Sequence, residues 1–524
     1  MNVHSASGLI ARLGQLAGSA RPAVSDDRRT LSHAELLERA LRAAAALQAL
    51  FAASERDGSV RRATDSTDLM DSTPAGGRLG PRVALLASQD VDWVAAFLGI
   101  LLAGGVAVPL SPAYPPAELA WFADDAGADL AIVSADQAAR AAELASGRTV
   151  RAPSDLFTAP PRAWSDVAAV ASASDAAVIL YTSGTTGKPK GAPLTHGNLS
   201  TQAEILGAAW GLVADDQLLH ALPLHHLHGL SAALLGVLYA GGAVRLLPRF
   251  DAAQALELLG AGAASVWMAV PTMYHRLREL GDAHAMRRAA GALRLATSGS
   301  AALPVQLASW WEAAAGAIPL ERFGMTEIGI ALSNPLAPAG RRAGHVGRPL
   351  DTVEARVVDE AGLDAGDGPG ELWVRGPSVF PGYLGRPDAS AAAFAEGGWF
   401  RTGDVAARGA DGAWRLLGRT SVDILKSGGE KISALEIEEA LREHPAVAEV
   451  AVVGLPDERW GDRVVAVVVP RARATCAPDD LRAFARVRLA VHQVPREFVV
   501  TAELPRNALG KVVKPELVRA LRER

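Results

Sequence analysis

Cysteine is nearly absent. Cys476 is the only one in 524 residues, which excludes an internal disulfide framework and any multi-cysteine metal site and fits a reducing compartment. A basic excess is also missing: the net charge of −5 argues against a general nucleic-acid binder. No apolar run is long enough to span a bilayer. The most apolar one, "WVAAFLGILLAGGVAV" (93–108), falls short of the ~20 residues required and is interrupted by Gly104 and Gly105. The opening "MNVHSASGLIARLGQLAG" lacks the sustained apolar core of a signal peptide. What remains is the expectation of a cytoplasmic globular protein, and a chain of this length exceeds a single core and predicts two or more domains.

The interrupted run is informative in itself. "ILLAGGVAVPL" (100–110) and "VLYAGGAVRLL" (237–247) share an apolar helix end, a Gly-Gly stop and an apolar strand. A glycine past a helix end supplies a left-handed cap, and an all-apolar strand suits a sheet covered on both faces. Two such units predict two related α/β subdomains within a large N-terminal region. Residues 54–82 are polar, rich in Gly, Ser and Thr and without periodicity, and read as a flexible insertion. Beyond Gly418, "ALEIEEALREHPAV", "EVAVVGLP", "RVVAVVVP" and "DLRAFARVRLA" read as helix, strand, strand and helix. They predict a small α+β domain over 419–524, after an N-terminal domain over 1–418.

One loop carries the chemistry. "YTSGTTGKPKG" (181–191) offers backbone N–H groups, hydroxyls and two lysines, which together suit phosphate oxygens; the alternative is a linker with solvated lysines. It is not a Walker A loop, because Pro189 follows Lys188 where that spacing needs Ser or Thr.

Four further stretches follow in order: "ERFGMTEIG" (321–329), "GWFRTGD" (398–404), "GRTSVDILKSGGEKIS" (418–433) and "PRNALGK" (505–511). Together with the loop they resemble the core motifs of the adenylate-forming superfamily, which includes acyl-CoA synthetases, peptide-synthetase adenylation domains and firefly luciferase. "RRTLSHAELLERA" (28–40) is similar to that family's usual beginning. The resemblance implies an α/β fold with a β-barrel-like part beside the two subdomains and a mobile C-terminal domain. It also implies ATP, Mg²⁺ and coenzyme A as ligands.

It further implies roles for individual residues. Ser183, Gly184, Thr185, Thr186, Gly187 and Lys190, after Thr182, would wrap the phosphates that leave as pyrophosphate. Thr326 would touch the α-phosphate and Glu327 would hold Mg²⁺, an ion for which one carboxylate plus phosphates and water is enough. Phe323 and the "SGSAA" segment, including Ser300 and Ala301, would pack the adenine, with Glu321, Arg322 and Gly324 in the same nucleotide group. Asp404 would accept from the ribose hydroxyls, with Arg419 beside it. Lys511 would reach the reacting carboxylate and the α-phosphate. Ser427, Gly428 and Gly429 would line the path of the thiol, and Ser421, or alternatively Asp423, would be the hinge.

The acid is read from four stretches. "LPLHHLHGL" (222–230) holds three histidines without plausible further partners for a metal, and His226 is implied to line the acyl pocket. "VPTMYHRLREL" (270–280), "RRAGHVG" (341–347) and "GPSVFPGYL" (376–384) are similar to the malonyl-CoA synthetases. By that resemblance Arg276 binds the free carboxylate of malonate, with Arg342 as a backup, Ser298 or Ser300 adding a hydroxyl, and Met325 and His226 closing a short pocket. Malonate is the expected acid, with methylmalonate used more slowly, and no nucleic-acid partner is expected.

Overall fold

The computed structural model describes residues 8–57, 77–142, 144–167, 171–182, 189–366, 368–428, 430–472, 474–506 and 512–523. Both helix–Gly-Gly–strand units form as the sequence predicts. The helix Val91–Leu102 starts where the Asp90 carboxylate accepts from Trp93 N–H, the standard way to satisfy an orphan donor of the first turn. Every residue of that helix except Asp92 is buried. It stops at Gly104, whose φ of 78° a side chain would disfavour, and the buried strand Val106–Pro109 follows. The second unit repeats this with Gly236–Ala240, Gly241 at φ 85° and Ala243–Leu246.

Each unit belongs to its own sheet. The first sheet runs Thr149–Arg151, Leu130–Val133, Arg82–Leu86, Val106–Pro109, Ala176–Thr182, Lys190–Thr195, and only its last pair is antiparallel. The second places Gln217–His220, Val266–Ala269, Leu295–Ser298 and Leu320–Met325 side by side and parallel, and Gly329–Ser333 then turns back on the last. The helices His33–Asp57 and Val91–Leu102 pack on one another between them, so one apolar core serves both subdomains. The helix His33–Asp57 runs into the predicted insertion and Arg82 already opens a strand. The expected 54–82 boundaries are therefore too wide, and 58–76 lies outside the described residues.

A five-stranded antiparallel sheet follows, ending with Trp399–Arg408 and Trp414–Arg419. After a turn at 420–423 the C-terminal sheet starts at Ile424–Ser427. Its long hairpin, Val447–Asp457 with Gly461–Pro470, is apolar on both faces because each face has its own core. Val450 and Val452 pack under the helices Ala434–Arg442 and Pro478–Arg488, while Ala451 and Val453 pack against Leu504 and Leu517. That explains the unbroken apolar runs. Among the described residues no helix is long and apolar enough to cross a membrane.

Asp216 staples the second sheet. Its buried carboxylate accepts from Arg294 Nε at 2.6 Å, the Val213 N–H at 2.8 Å and the Ser265 hydroxyl at 2.9 Å. Arg294→Met should destabilise the N-terminal domain by about 3 kcal/mol, because one partner of a buried charge pair is lost. The urea midpoint measures this, and an unchanged midpoint would show the staple to be dispensable.

Candidate active site

The site is assembled at strand ends. The strands Leu320–Met325 and Gly329–Ser333 form a tight hairpin with Thr326, Glu327 and Ile328 at its tip. Gly329 takes φ 69°, and a Cβ there would run into Gln202, whose amide bonds both polar groups of Ile330. The segment 377–380 grips the tip from the other side. Phe380 N–H donates to Glu327 O at 2.8 Å and the Ser378 hydroxyl to Ile328 O at 3.0 Å. The Glu327 side chain is thereby held 95% buried, and the Tyr383 hydroxyl donates to its Oε1 at 2.9 Å. Burial first, and then the Glu327 charge, raise the Tyr383 pKa, so the phenol stays a donor. Lys190 Nζ lies 4.3 Å from the centre of the Tyr383 ring. Lys190 is also where the hairpin Ala176–Thr182/Lys190–Thr195 closes, opposite Thr182. The tip loop of that hairpin, with Ser183, Gly184, Thr185, Thr186 and Gly187, lies outside the described residues.

Glu321 and Arg322 are neighbours in sequence and strangers in space. Consecutive strand residues point to opposite faces, so the carboxyl cannot neutralise the guanidinium. Glu321 accepts from the N–H groups of Gly344 and Leu303, and burial pushes its pKa up to about 8. Arg322 is 96% buried on the other face, and its Nε and Nη2 have no hydrogen-bond partner among the described residues. Burial pulls its pKa down to about 9, which leaves it charged at neutral pH. Room for it comes from Gly299, where a Cβ would sit 2.4 Å from Arg322 Cζ.

Other unsatisfied polar atoms lie in the same part of the fold. Among the described residues Ser298 Oγ and Thr297 Oγ1, on opposite faces of the adjoining strand, are buried without partners, as are Nε2 of His226 and His228. His228 Nδ1 is 3.3 Å from Ser300 Oγ. Ser300 has φ 67°, a conformation a non-glycine residue keeps only where its surroundings over-determine it. Burial holds His220 and His226 neutral, with pKa values of about 4. His228 is lowered well below 6.5 by burial and then by Arg322. It opens a π-helical turn, His228–Leu235, a feature that tends to mark functional sites.

A third group joins the hairpin to the five-stranded sheet. Asp404 faces Arg419 across paired strands, with Arg419 Nε 3.3 Å from Asp404 Oδ1. Arg419 Nη2 also reaches Met325 Sδ at 3.8 Å. The expected ribose carboxylate thus stands beside the Thr326–Glu327 tip, with buried Phe323 on the same hairpin.

Other expected residues fall elsewhere. Arg276 is exposed on the helix Pro271–Glu279, whose buried face is Met273, Tyr274 and Leu277. It makes no ion pair among the described residues. Arg342 pairs with Asp411 at the surface. Arg322, expected with the nucleotide group, lies on the histidine side of its strand. Ser427 is buried and Gly428 takes φ 63° in a tight turn. Ser421 lies in the 420–423 turn, and Gly429 and Lys511 are outside the described residues. Sequence reasoning missed Tyr383, although it stands in the quoted "GPSVFPGYL", and missed the burial of Arg322 beside His228.

A glutamate pinned at a hairpin tip beside a lysine-closed Gly/Ser/Thr loop, with an Asp–Arg pair next to it, defines a nucleotide-activating class of enzyme. The chain belongs to the AMP-binding enzyme family, whose profile matches residues 74–384, and the profile of the AMP-binding enzyme C-terminal domain matches 436–511. Its relatives narrow the class. It is 42% identical to the mitochondrial malonate–CoA ligase ACSF3 of Mus musculus, over 84% of this chain and 82% of that protein. It is 38% identical to a malonate–CoA ligase of Arabidopsis thaliana, over 85% and 79%. The crystal structure of ATP-bound MatB from Rhodopseudomonas palustris superposes with a TM-score of 0.85 at 34% identity, covering 99% of both chains.

The neutral histidines set a pH dependence. His196 and His220 are wholly buried with pKa values lowered by burial to about 4, against about 6.5 in the unfolded chain. Between these values the unfolded state binds more protons, so stability is full above about pH 6.5 and falls as pH drops toward 4. Each should remove about 2 kcal/mol by pH 5. Urea midpoints at pH 7 and pH 5 test this, and the difference should shrink in His220→Gln.

Proposed function

We propose that the protein ligates malonate to coenzyme A, through a malonyl-adenylate formed from ATP with release of pyrophosphate and then AMP. The observation that carries the choice of acid is the buried Arg322, with Nε and Nη2 unpartnered among the described residues and with unsatisfied atoms of Thr297 and His228 on the same side of the sheet. A buried cation without a counter-charge costs several kcal/mol, and the distal carboxylate of malonate would supply that charge through parallel N–H bonds. A fatty acid would instead press methylenes against these polar atoms, and acetate would leave them unpaired. The malonate–CoA ligases to which it is similar support the same choice. Methylmalonate adds one methyl, for which a pocket discriminates by only ~1–3 kcal/mol, so it should be a slower substrate.

At the reacting end, Lys190 and the N–H groups of the phosphate loop would hold the leaving pyrophosphate. The Thr326 hydroxyl would meet the α-phosphate, and Asp404 with Arg419 would fix the ribose. Among the described residues no group of three His, Cys, Asp or Glu could hold a metal by itself. This fits Mg²⁺, a hard ion that takes one or two carboxylates and completes its shell with phosphates and water. Glu327 is the carboxylate suited to it, oriented by Tyr383, and the ion would neutralise charge on the phosphates. Lys511, by family resemblance, would draw the two anions together.

Pyrophosphate release with ATP and Mg²⁺ is the test, run against malonate, methylmalonate, acetate and octanoate. Malonate should be preferred, and Arg322→Gln should cut its kcat/KM at least a hundredfold, the loss expected for an unpaired buried carboxylate. Gly299→Ala should act in the same direction by displacing the guanidinium. Arg276→Ala, run in parallel, decides whether that arginine swings onto the same carboxylate. A preference for octanoate would overturn the malonate reading. Tyr383→Phe removes one hydrogen bond to a charged group and should slow the adenylating step about tenfold for every acid.

A further inference from the structure

Lys514 is a lysine in an unusual place. It opens the helix Lys514–Arg522, is 91% buried, and sits between two carboxylates, with Nζ 2.6 Å from Asp423 Oδ1 and 2.7 Å from Glu438 Oε1. Neither carboxylate is idle. Glu438 accepts from Val452 N–H at 2.9 Å through Oε1 and from Arg442 at 3.0 Å through Oε2. Asp423 turns its other oxygen toward the N-terminal side, where Oδ2 accepts the Arg419 N–H at 3.0 Å. The Asp423 N–H in turn donates to Arg419 O at 2.7 Å. The backbone of Arg419 is therefore gripped at both polar groups by one aspartate, which is itself locked by a buried ammonium 91 residues further along. The Arg419 side chain, fixed at its root, is the one that bridges Asp404 and Met325.

We infer that Lys514 and Asp423 are positioning residues for nucleotide binding: they hold Arg419, and through it Asp404, from within the C-terminal domain. This rests on the proposed function only in taking Asp404 and Arg419 as nucleotide contacts. The arrangement does more than stabilise. A merely structural clamp could have closed on any buried pair, whereas this one ends on a residue whose side chain links the five-stranded sheet to the Thr326–Glu327 hairpin. Nucleotide affinity is therefore set partly by a lysine that does not touch the nucleotide.

The test varies ATP and malonate separately for wild type, Lys514→Met, Lys514→Arg and Asp423→Asn, and adds calorimetric binding of AMP and the thermal midpoint. Asp423→Asn keeps the shape and so guards against loss of fold in Lys514→Met, which leaves two carboxylates without their cation. The KM for ATP and the Kd for AMP should rise about tenfold or more, the usual effect of losing hydrogen bonds to charged groups. The KM for malonate should stay within about twofold, and Lys514→Arg should recover most of the loss. Unchanged AMP affinity in Asp423→Asn would overturn the inference, as would ATP and malonate parameters worsening together in step with a falling midpoint. If wild type releases no pyrophosphate with any acid while AMP affinity still falls in the variants, the proposed reaction fails and the coupling stands.

Discussion

A guanidinium withdrawn from water needs a counter-charge, and Arg322 has none among the described residues. Its sequence neighbour Glu321 is barred from the role by strand alternation and is itself held uncharged by burial, with a pKa of about 8. Gly299 leaves the space the guanidinium occupies. The histidines around it are kept neutral by the same burial. Each of these features makes sense if the missing anion is the substrate, since natural specificity is often obtained at some cost in stability. A protein selected only to fold would have closed this gap with an aspartate or an apolar side chain.

The rest of the N-terminal domain reads as the means of keeping such strand ends in place. Parallel strands deliver Ser298, Arg322 and His220 to the same end of one sheet. The hairpin that follows is wedged between Gln202 on the helix His196–Ala209 and the 377–380 segment, which Asn198 of the same helix also holds through Pro377 O and Val379 O. One buried helix thus sets both walls of the carboxylate at Glu327. Errors of a fraction of an ångström at this tip would matter more than errors in the core beneath it, because catalytic groups must stay within narrow geometric tolerance.

Much of this was legible in the sequence where the physics is local. A glycine pair after an apolar helix fixes a left-handed cap whatever surrounds it, so both helix–strand units were readable. The 181–191 loop was readable from residue types that suit phosphate, and the four later motifs from their resemblance to a known family. What was not legible depends on contacts between distant segments. Nothing near Arg322 in the chain says which face of its strand meets the histidines; that follows from register with Leu295–Ser298 and from Gly299. Arg276 reads equally well as an inward or outward residue from helical spacing, and the fold leaves it exposed. The Asp423–Lys514 pair spans two elements whose packing no local pattern announces. The end of the helix His33–Asp57 was missed because its last turn is as polar as the insertion after it.

Charge balance ties the two halves of the site together. At the Glu327 end, Lys190 and Arg419 stand beside Glu327 and Asp404 among the described residues. On the proposed reading the acyl end is where the one positive charge of Arg322 stands among neutral donors and acceptors. Neutral histidines suit this task better than charged ones. They can donate an N–H to a carboxylate without adding a second positive charge, which would favour any anion over the one of correct length. On the proposed reading, an acid with a single carboxylate satisfies one end and leaves the other charged and dry. A short dicarboxylate satisfies both at once. Discrimination then comes from where the second charge falls and not from the size of the pocket alone, which is why a hydrogen-bonding site can reject an analogue lacking its partner group far more strongly than it can reject an added methyl.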